Sequence, residues 1–183
     1  MKKEPKNNIS SYLCVKLFAR ECHKYQTRKD NKTPYITHPE RVARAVLQHP
    51  EGTVTMAKAA WLHDVMEDCE IPFETISEKF GNDVARLVNW LTNRKYPEGT
   101  GRSVKKSWDR YRLSKAPREA KIIKLLDRID NLRDTKGMTE AFKKLYANES
   151  LLLAEVLKDA DLELYKKLVG LAKELKEEAC LSR

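Results

Sequence analysis

The chain has 183 residues, enough for one domain with a substantial core, and its 41% hydrophobic content with few Gly and Pro excludes a disordered chain. No apolar run is long enough to cross a bilayer, and Cys14, Cys22, Cys69 and Cys180 form no CxxC or zinc-knuckle spacing. The cysteines therefore read as reduced thiols of a cytoplasmic protein rather than as a disulfide or structural-zinc framework.

The net charge of +9 is unevenly spread. Residues 1–38 carry 9 Lys and Arg against 3 Asp and Glu, and residues 93–136 carry 14 against 6. Between them, residues 39–92 carry 5 against 9. An acidic block flanked by basic ones suits a metal site beside an anionic ligand such as a phosphate compound. Nucleic acid is the other common partner of a basic protein.

The elements are helical almost throughout. MKKEPKNN is followed by no apolar signal core, so residues 1–9 are expected as a frayed tail and residues 10–180 as the folded domain. Tyr12, Val15, Leu17, Phe18 and Cys22 fit one helix face. Thr37 and Glu40 stand in capping-box spacing with Pro39 in the first turn, and this helix stops before Pro50-Glu51-Gly52. Thr53 caps the next, which carries Met56, Ala60 and the pair His63-Asp64. Pro72 opens a short helix closed by Gly81, and Val84, Leu87, Val88 and Leu91 mark another. Residues 93–102 form a basic loop with one Pro and two Gly, and residues 93–106 are either a lid or a fixed connection. Pro117 opens a helix with Ile122, Ile123, Leu126 and Ile129, ended by Gly137; Thr139 caps the next. Leu164, Leu168, Leu171 and Leu175 define the last. The class is all-α, with no internal repeat and no linker.

The chemistry gathers in WLHDVMED, residues 61–68. On a helix His63 aligns with Glu67, and Asp64 with Asp68. Carboxylates this close repel one another unless a cation binds among them. Imidazole with carboxylate is a ligand set for Mn²⁺, Fe²⁺ or Zn²⁺. Two adjacent ligands need others from elsewhere. His38, at a helix start, is one candidate, although taken alone a capping role is the favoured reading. Asp127, with Asn131 one turn later, is another, although an ion pair with Arg128 or a nearby Lys is an equal reading. A divalent cation makes a bound water acidic near neutral pH, and Glu67 and Asp68 would orient or deprotonate that water. His23 and His49 lack acidic company and read as surface residues.

An isolated His, then HD, then a distant Asp is the pattern of the HD phosphohydrolase superfamily. The chain more closely resembles the hydrolase domain of RelA/SpoT-type alarmone enzymes. The likeness lies in QTRKDNKTPYITHPERVA (26–43), AAWLHDVMEDCEIPFETISEKFGNDVARLVNWLT (59–92) and KIIKLLDRIDNLRDT (121–135). With no synthetase region after them, it is similar to the stand-alone small alarmone hydrolases.

The resemblance implies a single-domain HD-type helical bundle and one Mn²⁺ held by His38, His63, Asp64 and Asp127. It implies that Glu67 and Asp68 activate water. It places Arg28 and Lys29 on the nucleotide base, where a guanidinium or a Lys stem can lie flat on a purine. It sets Tyr35 and Asn131 near the sugar and phosphates. The implied reaction removes the 3′-pyrophosphate of guanosine tetra- or pentaphosphate, giving GDP or GTP. Lys124 and Arg128, with Arg94 and Lys95, are candidate phosphate contacts. Asp130 departs from the family, which has His or Tyr there, and the segment between Trp90 and Ser107 follows it loosely. Adenosine alarmones, NADPH or another nucleotide are therefore alternative substrates. A basic nucleic-acid-binding module with a vestigial site, and a binder that sequesters alarmones uncleaved, are the rivals of other classes; the full ligand set argues against both.

Overall fold

The computed structural model describes residues 8–181, which form ten α-helices and no β-strand. They separate into two compact units. One comprises the chain up to Gln26 with Pro34–Thr92; the other comprises Thr27–Thr33 with the chain from Asn93 onward.

In the first unit, α1 (Asn8–Cys22), α2 (Thr37–Gln48), α3 (Val54–Leu62), α4 (Val65–Asp68), α5 (Phe73–Phe80) and α6 (Asn82–Leu91) surround a core centred on α3. Residues 1–7 of the expected tail lie outside the described residues; Asn8 and Ile9 already belong to α1. The buried face of α1 is Val15 and Ala19, whereas Leu17 is exposed, so the expected stripe is displaced. The reason is local: α3 presents small residues, Ala57, Ala59 and Ala60, all fully buried, and close helix approach favours Ala19 over a larger side chain. Thr53 caps α3 as expected, accepting from the Met56 N–H at 3.1 Å.

Thr37 does not cap α2. The N-cap is Ile36, and the Thr37 hydroxyl donates backwards to the Pro34 carbonyl at 2.8 Å. The helix is thus entered through a tight turn, with Pro39 in its first turn where no N–H is missed. His38 is its second residue, which fixes that side chain on the buried face.

In the second unit, α7 (Arg102–Ser114), α8 (Arg118–Arg133), α9 (Glu140–Leu157) and α10 (Leu162–Leu181) pack with α8 and α10 both against α9. Pro117 precedes α8 and Thr139 caps α9, as the sequence predicts. Gly137 lies four residues beyond the end of α8 instead of closing it. Its φ of +76° and a closer constraint account for it: a Cβ there would stand 2.3 Å from the Lys29 carbonyl oxygen. The α10 face is Leu164, Leu168, Ala172, Leu175 and Ala179. No helix among the described residues is long and apolar enough to cross a membrane.

Candidate active site

In the first unit the break between α3 and α4 falls on His63-Asp64. The two residues are not mid-helix, as the sequence suggested: His63 closes α3 and Asp64 precedes α4. Asp64 sits at φ −104°, ψ −7°, in the sparsely populated bridge region that active-site residues often occupy. The first helical bond of α4 runs from the Asp68 N–H to the Asp64 carbonyl at 2.8 Å, so Asp64 and Asp68 stay one turn apart.

Asp64 stands where a carboxylate usually caps the following helix, yet it makes no cap bond. Its Oδ2 lies instead 2.9 Å from His63 Nε2, 3.9 Å from His38 Nε2, and accepts from the Tyr35 hydroxyl at 2.6 Å. The two Nε2 atoms are 3.2 Å apart, and both imidazoles are 1% exposed. His63 Nδ1 lies 2.7 Å from the Ala60 carbonyl, which can only accept, so Nδ1 carries the proton. That leaves the Nε2 lone pair aimed at the other donors. Ligand atoms of His38, His63 and Asp64 all lie within 4.8 Å of one another. A buried imidazole lone pair beside a carboxylate and a second imidazole fits a divalent cation.

Glu67 and Asp68 are exposed at the end of α4. Asp68 accepts from Gln26 Nε2 at 2.9 Å. Desolvation and the neighbouring Asp64 charge push its carboxyl above the usual range. Tyr35, expected near the nucleotide sugar, spends its hydroxyl on Asp64 and so orients that carboxylate.

The second unit carries the remaining candidates. Asp127, on α8 and 4% exposed, accepts from Asn131 Nδ2 at 2.6 Å and pairs with Lys124 Nζ at 2.8 Å. The oxygen of Asn131 accepts from Arg28 at 2.8 Å, and Arg28 also bonds Asp134 at 3.3 Å. Asn131 thus links Arg28 to Asp127. Lys29 lies over the Phe142 ring at 3.7 Å, and burial, then the cations Arg102, Arg28 and Arg128, push its amine below the usual lysine range. Arg128 stacks on Tyr146 at 4.5 Å and donates to the Ser150 hydroxyl at 3.3 Å. Arg94 and Lys95 are exposed on the loop before α7.

Within this unit a small open cleft is lined by Lys106, Lys124 and Arg128, with Asp109, Arg110 and Glu149. Burial, then the charges of Arg128 and Lys124, lowers the Lys106 amine below its usual value. Lys106 was not singled out in the sequence, where it is one cation in a basic run. Only the three-residue spacing from Lys106 to the buried Asp109 could have marked its face. Two other missed residues, Gln26 and His23, lie in the first unit. His23 is 1% exposed, contrary to its reading as a surface residue, because its ring packs on Tyr35 with centroids 4.9 Å apart. His49 is half-buried and accepts from the Glu51 N–H.

An all-helical fold that brings an HD pair and a distant histidine to one buried point has the build of an HD-type phosphohydrolase. The HD-domain family model matches residues 16–155. The guanosine-3′,5′-bis(diphosphate) 3′-pyrophosphohydrolase MESH1 of Xenopus tropicalis is 43% identical over 128 residues, 67% of this chain and 68% of that protein. Its namesake in Homo sapiens is 38% identical over the same shares. A solved structure, described as a metazoan ortholog of SpoT that hydrolyzes ppGpp and plays a role in starvation responses, superposes with a TM-score of 0.81. It is 28% identical, with 90% of this chain and 95% of that one covered. The chain belongs to the HD-domain family, among the relatives of MESH1.

Proposed function

We infer that this chain hydrolyses the 3′-pyrophosphate of guanosine tetra- or pentaphosphate, giving GDP or GTP and pyrophosphate. The buried His38–His63–Asp64 group carries the reading, in a chain whose relatives are named for this reaction. The oxygen of water bonds to the 3′-phosphorus, the bond from that phosphorus to ribose O3′ breaks, and O3′ takes up a proton.

His38, His63 and Asp64, with Asp127 as fourth ligand, would hold one Mn²⁺. The two imidazoles and the carboxylate support that choice by ligand type, and the resemblance supports Asp127. When bound, the cation supplies Lewis acidity toward water and the phosphoryl group. The chain's own groups do the rest. Asp68, one turn beyond Asp64 and held by Gln26, takes the proton of the attacking water, with Glu67 beside it. Tyr35 fixes the Asp64 carboxylate, and Asn131 fixes that of Asp127. Arg28 and Lys29 face the base; Lys124, Arg128 and Lys106 offset the charge of the phosphates. Four free thiols support a cytoplasmic setting.

The test is product analysis. Chelator-treated protein, with and without added Mn²⁺, is offered guanosine and adenosine alarmones, NADPH and a deoxynucleotide. Mn²⁺-dependent pyrophosphate from the guanosine alarmone is the expected result. Orthophosphate from NADPH alone would overturn the substrate, and salt-sensitive retention on nucleic acid with no turnover would overturn the reaction.

A further inference from the structure

Asp68 ends a helix of four residues, and a carboxylate so placed needs an outside restraint to keep one orientation. Gln26 supplies it. The Gln26 backbone is tied at both ends: its N–H donates to the His23 carbonyl at 3.0 Å, and its carbonyl accepts from the Tyr35 N–H at 2.9 Å. Its side-chain amide can face Asp68 in only one sense. An ionised carboxylate accepts and never donates, so the NH₂ must point to Asp68 Oδ2, as it does at 2.9 Å. The amide oxygen is thereby turned to His23 Nδ1, 2.7 Å away. That oxygen only accepts, so the His23 proton sits on Nδ1. With the proton there, neutral His23 presents at Nε2 a bare lone pair, and this buried atom has no hydrogen-bond partner.

An imidazole that leaves one nitrogen unsatisfied in the interior is a costly way to fill space. Its other nitrogen holds the Gln26 amide oxygen and so reinforces the sense in which Gln26 faces Asp68. Flipped, Gln26 would set its oxygen against the Asp68 carboxylate, and His23 could accept the NH₂ at Nδ1 only by moving its proton to Nε2, where a buried N–H would find no acceptor. The Cys69 sulfur, 3.5 Å from the same Nδ1, is a far weaker competitor than the amide oxygen and is already aimed at the Cys22 carbonyl at 3.3 Å. We propose that His23 is a positioning residue that acts through Gln26 to hold the Asp68 carboxylate for the hydrolytic step. The proposal rests on Asp68 serving as the proton acceptor.

The experiment uses the full chain loaded with Mn²⁺ and guanosine tetraphosphate as substrate. His23→Leu, His23→Asn, Gln26→Leu, Asp68→Asn and the double variant His23→Leu/Asp68→Asn are compared for kcat, KM, bound Mn²⁺ and Tm. His23→Leu and Gln26→Leu are expected to lower kcat about 10- to 100-fold with KM and bound Mn²⁺ unchanged. His23→Asn, whose amide nitrogen can stand where Nδ1–H stood, restores most of the loss. The double variant is no slower than Asp68→Asn alone. Wild-type kcat in His23→Leu while Asp68→Asn is slow overturns the role of His23, as do losses that multiply in the double variant. Wild-type kcat in Asp68→Asn sinks the reading of Asp68 and the proposal with it. Should His23→Leu fail to fold, His23→Phe, which keeps a ring against Tyr35 and removes the Nδ1–H, takes its place in every comparison.

Discussion

In the first unit, two buried imidazoles and a carboxylate converge so that their ligand atoms lie within 4.8 Å of one another, and the Tyr35 hydroxyl donates to that carboxylate. In the second unit, the cations marked in the sequence are held by side chains around them: Arg28 by Asn131 and Asp134, Lys29 by Phe142, Lys124 by Asp127, Arg128 by Ser150 and Tyr146. The difference is instructive. A buried cluster of imidazole and carboxylate donors fits a cation by ligand type. A set of cations fixed by neighbours is a preorganised surface for an anion, because the cost of ordering long side chains is met before the ligand arrives. Charge counts alone could not separate a fixed cation from a solvated one.

The largest effect expected is in the first unit. His63→Ala or Asp64→Ala should bring pyrophosphate release from guanosine tetraphosphate down to background while circular dichroism still shows a helical fold. Activity surviving at more than a few per cent would dissolve the contrast between the units.

Asn131→Ala probes the second unit more finely. Asn131 is the link between Arg28 and Asp127, so its loss should weaken Mn²⁺ affinity about 10- to 100-fold, read by titrating activity against Mn²⁺. If instead only KM for the nucleotide rises, Asn131 meets the sugar or phosphates, as the resemblance implies, and its hold on Asp127 is incidental.

Lys106→Ala should raise KM about 10-fold with kcat nearly unchanged. The pH dependence has a definite sign. Burial, Arg128 and Lys124 lower the Lys106 amine, so the charge that meets a phosphate is lost as pH climbs through that lowered value. KM should therefore rise at a pH below the ordinary lysine value of about 10.4, and Lys106→Arg, which stays protonated, should remove the rise. A flat KM up to that pH would return Lys106 to the solvated majority.

The smallest effect concerns the thiols. Burial, then Cys22 and the carboxylates Asp68 and Asp64, push Cys69 up to about 11, whereas Cys14 and Cys180 are exposed. Alkylation near neutral pH should reach Cys14 and Cys180 first and Cys69 last, read by mass spectrometry of peptides.

Helix order was legible because periodicity, Pro and Thr caps are local signals: Thr53, Pro72, Pro117 and Thr139 all stand where they were expected. The HD pair was legible as chemistry but not as geometry. Nothing in WLHDVMED announces that the helix breaks at His63-Asp64, since both residues tolerate a helix and the break is set by what Asp64 reaches in space. Tyr35 was seen as a residue of the site, but the Asp64 carboxylate that takes its hydroxyl lies 29 positions away. His23 was misread for a similar reason. Its partners Gln26 and Tyr35 are neutral, so no acidic neighbour in the sequence marks it as part of the site. Lys106 was hidden by abundance, because burial rather than sequence distinguishes one lysine in a basic run.

The most direct test of the account is Mn²⁺ binding itself. Chelator-stripped protein is titrated with Mn²⁺ while the electron paramagnetic resonance signal of the free ion is followed, for the wild type, His63→Ala and Asp68→Asn. One ion per chain in the wild type and in Asp68→Asn, with binding lost in His63→Ala, is the predicted result. Unchanged binding in His63→Ala would contradict it, because the buried group around the HD pair would then not be where the metal sits.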